Sequence, residues 1–228
     1  MSKRNKLQKF AEVYAFPHVY ENFNPKDPKL LGENGKETDL KGQWAKTHFK
    51  NKNSVTLELA CGKGDYTLGL ARLYPDRNFI GVDIKGARIW RGAKTALEEN
   101  LYNVAFLRTR IEQLYYFFES EEVAEIWITF PDPFLDKESR RLTAPRFLEM
   151  YQKILPKDGI VHLKTDSPEL YEYTLEVLTE VDTFELLYEE SDIYRKPLHL
   201  PELEIKTFYE KGHLEVGKTI KYIQMRNK

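Results

Sequence analysis

An α/β fold, with a Rossmann-like, seven-stranded, mainly parallel sheet and helices on both faces, is what this 228-residue sequence predicts. Two patterns carry that reading. From Ser54 onward, short apolar runs alternate with segments of helical periodicity. The runs are apolar almost throughout, with no in–out alternation, as in strands covered on both faces, and strand–helix repetition gives parallel pairing. A third observation sets the polarity of the fold. The first run, Val55 to Leu59, enters a turn carrying Gly62 and Gly64, and an amphipathic segment follows. Ligands of such sheets bind outside the carboxyl ends of the strands, so residues at those ends matter most.

Residues 1–53 read as a basic, irregular arm ahead of a domain over 54–228. Ser2-Lys3-Arg4-Asn5-Lys6 is basic, and Pro17, Pro25 and Pro28 break any long helix. Gly42 to Phe49 fits a short helix that packs Trp44 and Phe49 onto the domain. The strands that follow are Val55–Leu59, Asn78–Asp83, Val104–Leu107, Glu125–Phe130 and Gly159–Lys164, with Phe184–Tyr188 and Thr219–Gln224 closing the sheet. Helices are expected over Tyr66–Leu73, Arg88–Leu97, Pro145–Lys153 and Pro168–Leu178, each with apolar residues at helical spacing.

Composition narrows the function classes. With 41% hydrophobic and 31% charged residues the chain is that of a soluble globular protein. No apolar run reaches the ~20 residues of a membrane span, and no signal-peptide pattern opens the sequence. A single cysteine, Cys61, leaves no intrachain disulfide and no Cys-rich metal site, and the five histidines lack ligand spacing, so no metal is expected. The expectation is a cytoplasmic monomer or homodimer. A net charge of −1 means that affinity for nucleic acid must come from a local basic face.

The glycine turn is the first candidate site. A dinucleotide fingerprint fails, because Thr67 stands where the third glycine is needed. Acidic Glu58 followed by Gly62 and Gly64 instead resembles the first motif of S-adenosylmethionine-dependent methyltransferases, and by that resemblance Glu58 and the glycines seat the methionine half of the cofactor. Asp83 ends the second strand roughly 20 residues on, where a carboxylate can accept both hydroxyls of a ribose. After the fourth strand, Phe130-Pro131-Asp132-Pro133 clamps an acid between two prolines and holds it in one direction.

Pro131-Asp132-Pro133, then Arg140-Arg141-Leu142-Thr143, then Thr165-Asp166 and Thr207-Phe208-Tyr209-Glu210, resemble in order the motifs of the bacterial tRNA (guanine-N7-)-methyltransferases. The resemblance implies a cofactor, S-adenosyl-L-methionine, contacted by Glu58, Gly62, Gly64, Asp83, Asp132 and the loop after the third strand, with Thr109 and Arg110. It implies Asp132 as the active-site acid, with Asp166, Thr207, Phe208, Tyr209 and Glu210 against the tRNA. Two departures stand out. Many relatives carry an acid or amide after the third strand where this chain has Arg108-Thr109-Arg110, and the segment after Pro133 is shorter and lacks a histidine. Lys137, Arg140, Arg141 and Arg146 form a basic stretch beside the acid, suited to phosphates, although such stretches are also ordinary solvated faces.

Loss of that histidine agrees with the chemistry. Guanine N7 carries an in-plane lone pair and no proton, so its methylation needs positioning and not a base. The Watson–Crick edge of guanine offers two N–H donors, which either Asp132 or Glu210 suits. Two other readings account for less: a methyltransferase for a small molecule or protein leaves the basic stretch unexplained, and a non-catalytic tRNA-binding protein leaves the intact glycine turn unexplained.

Overall fold

The computed structural model describes residues 3–228, with side chains from Leu7 onward; the first two residues of the basic arm lie outside them. In chain order the elements are α1 (Lys3–Ala15), β1 (Val19–Glu21), β2 (Leu30–Leu31), β3 (Glu37–Thr38), β4 (Val55–Leu59), α2 (Asp65–Leu73), β5 (Asn78–Asp83), α3 (Gly86–Glu98), β6 (Val104–Arg108), β7 (Val123–Thr129), α4 (Pro145–Gln152), β8 (Ile160–Thr165), α5 (Pro168–Glu180), β9 (Phe184–Glu190), α6 (Phe208–Glu215) and β10 (Lys221–Asn227). One sheet runs β3-β2-β1-β6-β5-β4-β7-β8-β10-β9. Strands β1, β6, β5, β4, β7 and β8 run parallel to one another, β2 and β3 extend the β1 edge antiparallel, and β10 lies antiparallel between β8 and β9.

The seven expected strands are β4 to β10, and the Rossmann-like class holds. The sheet has ten strands because the first 53 residues add three. This segment is not irregular, as its prolines suggest; it forms α1, which stops before Pro17, and then pairs Val19, Tyr20 and Glu21 in parallel with Phe106, Leu107 and Arg108. Trp90 on α3 donates its indole N–H to Glu12 at 2.7 Å, fixing α1 on the sheet's outer layer. The short helix expected near Gly42 is a single wide turn, Trp44–His48, closed by the Phe49 amide on the Trp44 carbonyl, with Trp44 fully buried and its indole N–H bonded to the Phe117 carbonyl.

Helices cover both faces because the strands are apolar on both. On one face Leu57, Leu59, Val82, Leu107, Ile126 and Ile128 meet Phe147 and Leu148 of α4 and Leu170 and Val177 of α5. On the other, Phe79, Phe106 and Trp127 meet Tyr66 and Leu68 of α2 and Ile89 and Ala93 of α3. The chain turns from β4 one way to β5 and β6 and the other way to β7 and β8. A crevice opens at that switch, outside the carboxyl ends.

Candidate active site

A cavity of about 900 Å³ lies there, walled by the ends of β4 to β8 and roofed by the Thr207 to His213 segment. Its floor is the turn after β4. Ala60, Gly62 and Gly64 all adopt left-handed φ, at 56°, 57° and 73°. The two glycines serve different ends. A Cβ on Gly62 would meet nothing nearer than the Ala60 carbonyl at 4.0 Å, so that position is bare toward the cavity. A Cβ on Gly64 would lie 2.7 Å from the Phe106 ring. Gly64 does not line the cavity; it lets the turn close onto the core. Cys61 is a buried wall whose thiol burial holds well above its usual pKa, hence protonated.

Six acids surround the space, and five are engaged; Asp65 accepts the Phe208 amide at 3.0 Å. Glu58, buried on β4, accepts from Thr129 Oγ1 at 2.8 Å and from the amide and hydroxyl of Thr67. Burial pushes its carboxyl up to about 7, against those hydrogen bonds. Asp83 accepts the Gly62 amide at 2.9 Å and the Lys85 amide at 2.7 Å, one on each oxygen. Each oxygen keeps a lone pair for a ligand. Asp166 is paired with Lys218 at 2.6 Å and His213 at 3.4 Å, and Glu112 with Arg146 at 3.6 Å. Asp132 is exposed at the cavity wall with no hydrogen bond or ion pair among the described residues. Its loop is strained: Phe130 and Phe134 hold φ of 48° and 41°, a region that bulky residues avoid.

The predicted substrate residues divide. Arg140, Asp166, Thr207 and Tyr209 line the cavity, as do Thr109 and Arg110 from the end of β6. Lys137 and Phe208 are exposed outside it, with Lys63 over the Phe208 ring. Two do not face the ligand side. Arg141 is 4% exposed and turned inward, donating to the Pro133 carbonyl at 2.9 Å and stacking on Tyr173, so it braces the loop that presents Asp132. Glu210 is fully buried, pairing with Lys164 at 2.8 Å and accepting from Tyr194 at 2.6 Å. Burial pulls the Lys164 ammonium down to about 8, against the attraction of Glu210. Thr207 caps α6, its hydroxyl accepting the Glu210 amide at 3.1 Å. The Thr-x-x-Glu pattern thus starts a helix, as such spacing does, and anchors it to β8.

Several lining residues escaped the sequence reading. Ile84 and Ile111 supply apolar walls, Arg88 a cation, and His213 an imidazole stacked on Phe130 with 5.8 Å between ring centroids. Ile84 sits next to Asp83 and could have been flagged as an exposed apolar residue at a strand end. His213 lies on α6, beyond the Thr207 to Glu210 motif, where no sequence pattern marks it. Among the described residues, no group of three or more His, Cys, Asp or Glu is arranged to hold a metal, and no helix is long and apolar enough to cross a membrane.

An adenosine-sized ligand suits the β4–β6 half: a bare glycine backbone, a carboxylate with free lone pairs, and the apolar walls Ile84 and Ile111. Comparison with known proteins bears on the same segment. The family described as "Putative methyltransferase" matches residues 52–223. The tRNA (guanine-N(7)-)-methyltransferase of Christiangramia forsetii is 49% identical over 100% of both chains. The enzyme of that name from Bacteroides fragilis is 47% identical over 97% of this chain and 85% of its own. The solved structure of the 16S rRNA methyltransferase KamB superposes with a TM-score of 0.65 over 85% of this chain and 96% of its own; at 14% identity it speaks for the fold alone.

Proposed function

The chain belongs to the tRNA (guanine-N(7)-)-methyltransferase family, and from that premise we propose that it methylates N7 of a guanosine in the tRNA variable loop, using S-adenosyl-L-methionine. When bound, that cofactor supplies an electrophilic methyl group. The observation that carries the reading is the contrast around the cavity: the carboxylates near the glycine turn are committed to the protein, and Asp132 is uncommitted.

In this account Asp83 accepts the ribose hydroxyls on the lone pairs that the Gly62 and Lys85 amides leave free. Glu58 acts indirectly, holding Thr67 and Thr129 and so the shape of the turn. Asp132 accepts N1–H and N2–H of guanine, which leaves N7 to point into the cavity. Glu210 suits that task less, being fully buried with Lys164 and Tyr194 on one of its oxygens. No residue has to remove a proton, because N7 carries none; orientation and exclusion of water supply the rate. Tyr209, 44% exposed at the rim, offers a face for the base to stack on, and Arg140 and Lys137 lie where phosphates of a bound RNA would be held. A cytoplasmic location follows from that substrate.

Incubation with labelled S-adenosylmethionine and unmodified bulk tRNA tests the proposal. Label at guanine N7 within the variable loop is the expected result. Label on another atom, or only on protein or small molecules, would refute it.

A further inference from the structure

The segment ahead of the methyltransferase strands touches the cavity wall at Thr109 through Asn22. Asn22 follows β1; its amide N–H bonds to the Arg108 carbonyl at 2.9 Å, and its side chain lies against Thr109 and Gln113. Asp83 pairs in register with Arg108, so Thr109 stands one residue beyond the level of that acid, on the neighbouring strand. It is 2% exposed and lines the cavity.

Hydrogen-bond polarity here is determined by one group. The Pro25 carbonyl can only accept, and it receives Gln113 Nε2 at 2.9 Å. Gln113 Oε1 therefore faces Asn22, and the Asn22 group opposite must be the NH2, at 3.0 Å; a flipped Asn22 would set oxygen against oxygen. The second hydrogen of that NH2 goes to Thr109 Oγ1 at 3.2 Å. Thr109 oxygen thus accepts, and its own proton has no acceptor among the described residues.

We infer that Asn22 is a positioning residue that fixes the Thr109 hydroxyl as a donor into the cavity, where it takes a ring nitrogen of the cofactor's purine. The inference rests on the cofactor reading above. With ribose on Asp83 at the end of β5, the base extends toward the end of β6. With one lone pair taken by Asn22 and its proton unclaimed by the chain, that hydroxyl is best matched by an acceptor, which the purine ring nitrogens are and the 6-amino group is not. Residues before the glycine turn would then help choose the base.

Calorimetric titration with S-adenosylhomocysteine and its 1-deaza, 3-deaza and 7-deaza analogues tests this. Failure of the wild type to bind the parent compound would overturn the cofactor reading itself. Given binding, Thr109→Val should weaken it roughly 3- to 10-fold, the value of one hydrogen bond, and Thr109→Ser should restore it. Asn22→Asp should match Thr109→Val, because a carboxylate draws the hydroxyl proton to itself, and adding Thr109→Val to it should cost nothing more. Wild type should bind one deaza analogue more weakly by the same factor, and Thr109→Val should bind that analogue and the parent alike. Unchanged affinity in Asn22→Asp, even with a lowered Tm, would reduce Asn22 to a structural tie. Equal loss across the parent and every analogue in Thr109→Val would also overturn the assignment.

Discussion

The two halves of the cavity are built differently. Beside the glycine turn, Glu58 and Asp83 are 2% and 6% exposed, and every carboxylate oxygen already accepts a hydrogen bond from the chain. Across the switch, Asp132 and Tyr209 are exposed, and Asp132 is unbonded among the described residues. The first half is preorganised and leaves a ligand few ways to lie. The second holds its acid still through the backbone, with Pro131, Pro133 and a left-handed Phe130, and keeps the side chain's bonding capacity for whatever enters. A rigid group with free lone pairs can recognise a base. Glu58, buried with Thr67 and Thr129 on its oxygens, can only shape a pocket.

The open half depends on a buried anchor, and breaking it should have the largest effect. Glu210→Ala leaves the Lys164 ammonium buried without its counter-charge, held only by the Leu203 and Ile205 carbonyls, and should destabilise the fold by about 3–5 kcal/mol in chemical denaturation. Loss of a kcal/mol or less would mean that α6 is held by other contacts, and would return Glu210 to the list of substrate residues. In the closed half, Glu58 titrates near 7 in the fold against an ordinary 4.5. A carboxyl raised in this way lends stability that is fully present below the ordinary value and is lost as pH rises through the folded one. Melting temperature should therefore fall between about pH 4.5 and pH 7 in the wild type more than in Glu58→Gln; parallel curves would show that the buried acid does not change charge there. The smallest effect separates two adjacent arginines. Arg140→Ala should flatten the log–log salt dependence of tRNA binding by about 0.7–0.9, one phosphate contact, and leave stability alone. Arg141→Ala should leave the slope and lower the Tm; a shared loss of slope would put both on the RNA.

Much of the closed half was legible in sequence. Strand Val55–Leu59 has the predicted bounds, and Asp83 ends the strand it was expected to end, because long apolar runs fix strands and glycine fixes the turn. The distinction between Gly62 and Gly64 was not, since only packing reveals that Phe106 fills the space behind one of them. Strands β1 to β3 are two or three residues long, too short for a period to show. Arg141 and Glu210 are buried where the sequence suggests exposed contacts, and for one reason. Whether a charge faces water depends on partners distant in the chain, such as Lys164 for Glu210, and a local run of charges carries no record of them. The helix start at Thr207 was readable: a threonine three residues ahead of a glutamate is a capping pattern as well as a family motif.

The central claim is that one half holds the cofactor and the other orients the base, and a paired measurement on Asp83→Ala and Asp132→Ala tests it. For each variant, affinity for S-adenosylhomocysteine would be measured by calorimetry and single-turnover methylation of tRNA at saturating cofactor. Asp83→Ala should lose about 1–3 kcal/mol of affinity, with a smaller loss of turnover once saturated. Asp132→Ala should keep most of its affinity and lose turnover, Asp132→Asn should fall between it and the wild type, and no rate should show the ionisation of a catalytic base. Wild-type turnover in Asp132→Ala, or the same pattern of losses in both variants, would contradict the division of the site.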